Sequence, residues 1–356
     1  MAHSSSSPSS WFRGVALAVP LLLGGGACSV DGDGADDVPL VVDAVNGLDH
    51  LPAAGPGPWR VNSHDLGDGH HLYLPSTLES QPEPSLFPLP FVVFSPGFSA
   101  SPGDYTDTVE HIASHGFAVV AADHGFSIFS ALGCMTQRDG LERVQAAAAL
   151  VHLRARTPGH DLFGVVSDRQ GLATVGHSYG GKVSLWLARE DDIRVDAVVA
   201  LDPVDGGADN RPGYCSDATV DDGFHRLADR LPGNTMPPVL VFTAGLSGDC
   251  APAEGNGAVL AAAIEDDVIQ LTLPRATHTD FLDDVFDGDC ASCSVCPASE
   301  ERGADVLRLV RGATVSFLRH RFLGDDRDAR WLLDDDVMGD DVQQSVDVVG
   351  VAAGSR

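Results

Sequence analysis

Apolar and polar positions follow two rhythms along this chain. Short apolar runs recur at Pro90 to Ser95, Phe117 to Ala122, Leu172 to Gly176, Val195 to Leu201, Pro238 to Phe242 and Val268 to Leu273. They are rich in β-branched residues and largely apolar on both faces, as central parallel strands are. Between them, Thr106 to Ser114, Leu141 to Arg154 and Gly180 to Arg189 carry helical spacing, and a last amphipathic helix spans about Ala304 to Phe322. Strand and helix in alternation predict one doubly wound α/β domain, a mostly parallel central sheet with helices on both faces. Upstream, Trp59 to His64 and His70 to Leu74 flank Gly67-Asp68-Gly69 and read as an antiparallel hairpin at the sheet edge. The Pro-rich stretch Pro75 to Pro90 reads as a connecting loop.

The two ends follow neither rhythm. Arg13 precedes an apolar run from Val15 to Leu23, then Gly24-Gly-Gly-Ala-Cys28. A weak positive region, a short apolar core and small residues read as an export signal over residues 1–28, with Cys28 the candidate lipidation site. Residues 29–47 read as a flexible acidic tether, 48–324 as the catalytic domain and 325–356 as an acidic, partly ordered tail. The protein is therefore expected to be exported, either lipid-anchored in the cell envelope or secreted. No apolar run approaches the ~20 residues a transmembrane helix needs.

Composition narrows the partners. Fifty-one acidic against 22 basic side chains give a formal charge of −29, and Lys182 is the only lysine. Such a balance argues against nucleic acid, whose phosphates must be met by Lys and Arg. Beyond Cys28 lie six cysteines, Cys134, Cys215, Cys250, Cys290, Cys293 and Cys296. An even number in an exported chain favours disulfides over metal, with the pairing left open, because structural zinc usually takes two separated ligand pairs. No cofactor is implied.

Chemistry enters at Gly176-His177-Ser178-Tyr179-Gly180, which satisfies G-x-S-x-G. Five residues alone are weakly specific. Here, however, the motif begins where one predicted strand ends and opens the next helix, so a tight turn would lift the Ser178 hydroxyl above the carboxyl edge of the sheet. A serine nucleophile needs a base, and in this arrangement acid and histidine follow it in that order. His225, His278 and His320 are the histidines after the motif. His278 is chosen because it follows a strand; His225 and His320 lie in helical stretches. Asp202, directly after Val195 to Leu201 and braced by Pro203, is preferred as the acid over Asp249 in the next loop, and Asp280 reads as a loop-capping carboxylate. The oxyanion donors are expected to be the backbone N–H groups of Tyr179 and of Phe98, in the loop Ser95-Pro-Gly-Phe98-Ser99.

Several stretches resemble the chlorophyllases: Glu110 to Val120, Gly176 to Lys182, Leu201-Asp-Pro-Val-Asp-Gly206, Thr243 to Pro252, His278 to Asp284, Cys290 to Cys296 with Glu300 to Arg302, and Val310 to Leu318. The resemblance covers roughly Pro88 to Asp325, and the region is more loosely similar to cutinase-like polyester hydrolases and platelet-activating-factor acetylhydrolases. It implies the α/β-hydrolase fold and hydrolysis of a carboxylic ester by Ser178, His278 and Asp202. Chlorophyllases place the acid in the Asp-Pro-Val segment and cleave chlorophyll to chlorophyllide and phytol. At two positions this sequence departs from the family. Tyr179 stands where Arg is usual, and Ser95-Pro96 replaces the His before the oxyanion-loop Gly-Phe. Both are read as lying at the mouth of the site.

The expected substrate is an ester with a bulky apolar alcohol, with Phe98, Phe126, Phe129 and Phe281 as candidate cleft residues. At least half of those four are expected to be ordinary core. A general lipase or polyester hydrolase is the alternative among enzymes, and a non-catalytic binding module of the same fold is the alternative outside them.

Overall fold

In the computed structural model the apolar runs become neighbouring strands of one sheet. The structure describes residues 53–76, 88–127, 129–130, 135–167, 172–190, 193–205, 224–246, 248–253, 255–265, 267–283, 303–325, 332 and 343–347. All of these fall within one unit, Leu40–Arg356. The expected export signal, Cys28, the tether and every cysteine but Cys250 lie outside the described residues.

The strands are β1 (Arg60–Gly67), β2 (His70–Ser76), β3 (Phe91–Ser95), β4 (Ala118–Ala121), β5 (Leu172–His177), β6 (Val195–Leu201), β7 (Val239–Leu246), β8 (Val268–Thr277) and β9 (Gln343–Asp347). Their order is β1-β2-β4-β3-β5-β6-β7-β8-β9. From β4 to β8 every pairing is parallel. The hairpin β1–β2, its junction with β4 and the β8–β9 pair are antiparallel.

The α-helices among the described residues are α1 (Thr106–Ser114), α2 (Gln137–Arg156), α3 (Tyr179–Arg189), α4 (Gly257–Ala262) and α5 (Gly303–Leu323). Alternate side chains of each strand point to opposite faces, which divides the core in two. Val92, Phe94, Val199 and Leu240 join a layer with α1 and α5. Phe91, Val93, Val198 and Val241 join the layer with α2, α3 and α4. Each such side chain, when fully buried, contributes about 1.5–3 kcal/mol. The doubly wound α/β-hydrolase fold expected from the sequence is the one observed.

Two differences from the expected elements have physical causes. Helix α2 begins at Gln137 rather than Leu141 because Thr136 caps it: Asp139 N–H donates to Thr136 Oγ1 (3.1 Å), and Thr136 N–H donates to Asp139 Oδ2 (2.6 Å). Strand β8 outlasts its apolar run because backbone pairing with β7 continues, past a bulge, to Leu246 opposite Thr277. His278 therefore follows its strand directly. Within the segment read as an acidic tail, Gln343–Asp347 adds β9 along β8. Its Gln-Gln-Ser-Val-Asp sequence carries no apolar run by which it could be found.

Near the N-terminal edge of the described chain, His111 Nε2 donates to the Ala53 carbonyl (2.8 Å) and His115 Nε2 to that of Gly55 (3.1 Å). The two rings pack with centroids 4.9 Å apart. Burial, then the neighbouring His115, push the His111 pKa down to about 4, and burial also lowers that of His115. An unfolded histidine titrates near 6.5, so below that pH the unfolded chain binds more protons than the folded one. Stability should hold above pH ~6.5 and fall as the pH drops toward 4, read as a declining urea midpoint. His111→Gln, which keeps a donor but does not titrate, should flatten that decline.

Candidate active site

The G-x-S-x-G turn joins β5 to α3 and holds Ser178 at φ 56°, ψ −121°. The turn can close this tightly because its flanking residues lack side chains: a Cβ on Gly176 would lie 2.3 Å from the Gly180 carbonyl oxygen, and one on Gly180 2.0 Å from that of Ser95. Asp202, next after β6, also sits at positive φ (38°), as does Ser99 in the β3 loop (59°). Each such non-glycine conformation costs on the order of 1–3 kcal/mol. Three of the four described cases lie in this one region; the fourth, Asp68, is in the β1–β2 turn.

These turns bring Ser178, His278 and Asp202 together at the carboxyl edge of the sheet. Ser178 Oγ lies 2.9 Å from His278 Nε2, and His278 Nδ1 lies 2.6 Å from Asp202 Oδ2. Asp202 is fully buried, and its Oδ1 accepts the Ala244 N–H (2.9 Å). With the carboxylate facing Nδ1, the imidazole proton resides there and Nε2 presents a lone pair to the serine hydroxyl. Asp249, the alternative acid, is exposed in the loop after β7. Asp280 Oδ2 accepts the Thr277 N–H (2.7 Å), capping the turn that carries His278. His320 is on α5, and the side chain of His225 lies outside the described residues.

The β3 loop runs beside the serine, and a Cβ on Gly97 would be 3.4 Å from Ser178 Cβ. Phe98 is 43% exposed there and packs on Phe126 with ring centroids 5.2 Å apart. Phe129 is exposed, whereas Phe281 is fully buried and stacks on His177. The two departures from the chlorophyllase pattern lie deeper than expected. Tyr179, Ser95 and Pro96 are all buried rather than at a mouth. Tyr179 packs against His124 and Phe126, and its hydroxyl donates to the Gln137 carbonyl. An aromatic ring can be enclosed in this way by apolar neighbours, whereas a charged residue would need a partner.

Sequence reasoning missed His177, the residue before the serine. Gly97 N–H donates to the Tyr105 hydroxyl oxygen (3.0 Å), and that hydroxyl lies 2.7 Å from His177 Nδ1. His177 Nε2 lies 3.0 Å from the His278 carbonyl. A carbonyl only accepts, so Nε2 carries the proton and Nδ1 accepts from Tyr105. Burial holds His177 neutral, its pKa well below 6.5, and His278 reinforces this. Burial likewise raises the Tyr105 phenol. One buried chain thus links the β3 loop, the serine turn and the backbone of His278. A signal was available: Val175 faces the α1/α5 layer, and two residues further along the strand His177 must face the same way. Among the described residues, no group of three or more His, Cys, Asp or Glu side chains could hold a metal ion.

Fold and site together define a protein of the α/β-hydrolase class, with a serine, a histidine and an aspartate hydrogen-bonded in series at the sheet edge. A family model described as chlorophyllase matches residues 80–349. Plant proteins are similar over most of their length. Chlorophyllase-2 of Arabidopsis thaliana is 26% identical over 258 residues, 67% of this chain and 75% of that protein. Chlorophyllase-1 of the same plant is 24% identical over 264 residues, 69% and 76% respectively. Chlorophyllase type 0 of Chenopodium album is 27% identical over 252 residues, 67% and 69%. The chain belongs to the chlorophyllase family and is a carboxylic ester hydrolase.

Proposed function

We propose that the protein is a serine esterase of chlorophyllase type, acting on esters of a bulky apolar alcohol. The observation that carries this reading is the unbroken relay Ser178 Oγ, His278, Asp202, at 2.9 and 2.6 Å. Ser178 Oγ attacks the ester carbonyl as His278 Nε2 takes its proton, and Asp202 steadies the imidazolium. The N–H groups of Phe98 and Tyr179 receive the oxyanion, with the N-terminus of α3 adding a favourable field. Collapse expels the alcohol, which takes the proton from His278. Water, deprotonated by the same nitrogen, then releases the acid and restores Ser178.

A second reading, a lipase or polyester hydrolase of broader range, is favoured by Phe98, which is 43% exposed in the loop beside the serine and offers an apolar contact to neutral alkyl esters generally. Export is part of the proposal, with lipid attachment at Cys28 and disulfides among the six remaining cysteines, as suits an oxidising compartment.

A serine-directed fluorophosphonate should label the wild-type protein and leave Ser178→Ala unlabelled. Equal labelling of both, or of neither, would sink the enzyme mechanism and favour a binding module. The substrate class follows from rates on chlorophyll a, p-nitrophenyl esters of graded length and a polyester film. Turnover of short esters with chlorophyll untouched would replace the chlorophyllase substrate with the broader one.

A further inference from the structure

Opposite Tyr105, a second buried histidine holds the β3 loop. His124, fully buried after β4, has its Nε2 at 3.0 Å from the Gly97 carbonyl oxygen and 3.2 Å from that of Pro96. Its Nδ1 accepts the Phe126 N–H at 2.8 Å. An N–H donates and a carbonyl accepts, so both partners dictate one tautomer: Nδ1 bare, Nε2 protonated and shared between two carbonyls. Ser99 N–H donates to the Phe126 carbonyl (3.1 Å), a further tie between the same two loops.

The consequence lies in one peptide plane. The Gly97 carbonyl and the Phe98 N–H belong to the same peptide unit, and in a trans unit they point in opposite directions. Fixing the carbonyl on His124 fixes where the N–H points. The Gly97 N–H is held by the Tyr105 hydroxyl, so both polar groups of Gly97 are pinned and the plane has little freedom to turn. Without these bonds the plane, beside a glycine, would rest on the Ala100 N–H alone, which also donates to the Gly97 carbonyl (3.0 Å).

We propose that His124 is a positioning residue for ester hydrolysis: by holding the Pro96 and Gly97 carbonyls it keeps the Phe98 N–H set as an oxyanion donor. This rests on the serine-esterase reading above. His124 touches no reacting atom; it acts through the peptide it orients. Burial suits the role, since a protonated ring would aim a second N–H at the Phe126 N–H.

The test compares wild type, His124→Leu and His124→Gln on the best p-nitrophenyl ester and on a matching trifluoromethyl ketone, whose serine adduct bears a tetrahedral oxyanion. Loss of one oxyanion donor costs about 10²–10³ in rate. His124→Leu should lower kcat about 10²-fold with KM within about twofold, and the ketone Ki should rise by a matching factor. His124→Gln, whose amide N–H can reach the position of Nε2, should recover about tenfold or more of the loss. A folded His124→Leu with unchanged kcat, or a fall in kcat with ketone affinity intact, overturns the role. So does a Gln variant no better than Leu when both melt like wild type. Should the variants fail to fold, long-range ¹H–¹⁵N spectra of the wild type decide, because a proton on His124 Nδ1 contradicts the geometry. A wild type that hydrolyses no ester and takes up no fluorophosphonate removes the esterase reading itself, a result distinct from these.

Discussion

Asp202→Asn should lower kcat on any ester substrate by about 10⁴ while leaving the protein folded. The magnitude follows from how the carboxylate is held. Asp202 Oδ1 accepts the Ala244 N–H and Oδ2 faces His278 Nδ1. In the asparagine variant the amide oxygen must stay on the Ala244 side, since an amide nitrogen there would meet a donor. The NH₂ group then faces His278 Nδ1 and donates to it, which moves the ring proton to Nε2. Nε2 is the atom beside Ser178 Oγ, so the base arrives already protonated and cannot take the serine proton. Shape and volume barely change, so the melting temperature should move little. Asp249→Asn, altering an exposed side chain, should leave kcat within about twofold. Equal losses in the two variants, or a fully active Asp202→Asn, would remove Asp202 from the relay.

The order of strands and helices was legible because parallel central strands are apolar on both faces, and such runs stand out wherever they occur. Ser178 and Asp202 were picked out for a related reason, as each lies at the end of a plain apolar run, whereas His278 stands five residues past its run because β8 continues to Thr277. Strand β9 was hidden because an edge strand pairs through its backbone and can be polar. The supporting groups were hidden differently. His124, His177 and Tyr105 matter through which atoms their ring nitrogens and hydroxyl meet across three separate loops, and those meetings exist only after the sheet has assembled. Tyr179 and Pro96 were located in the sequence but read at the mouth, because the depth of a loop residue depends on what packs over it. Their burial moves the departure from the family pattern out of the entrance and into the scaffold beneath the nucleophile.

Lys182 carries the largest expected effect on stability. The chain has one lysine, and by composition it should sit at the surface. Instead it is fully buried on α3, one turn beyond Ser178. Its Nζ lies 3.2 Å from Asp205 Oδ1 and 3.3 Å from Gln137 Oε1. Asp205 Oδ1 and Oδ2 also accept the N–H groups of Leu227 (2.8 Å) and Ala228 (2.7 Å). This single ammonium therefore ties the nucleophile helix to the start of α2 and to the loop that leaves Asp202. Lys182→Met keeps the stem volume but leaves the Asp205 carboxylate buried without its cation, a loss of about 3–5 kcal/mol. In a chain of this size that should lower the melting temperature by on the order of 10 °C. Adding Asp205→Asn removes the stranded charge while an amide oxygen can still accept one backbone N–H, so the double variant should be more stable than Lys182→Met alone. If Lys182→Met melts like wild type, the pair does not hold these elements together. If the double variant is less stable than Lys182→Met, the cost lies in lost hydrogen bonds to Asp205 rather than in an uncompensated charge.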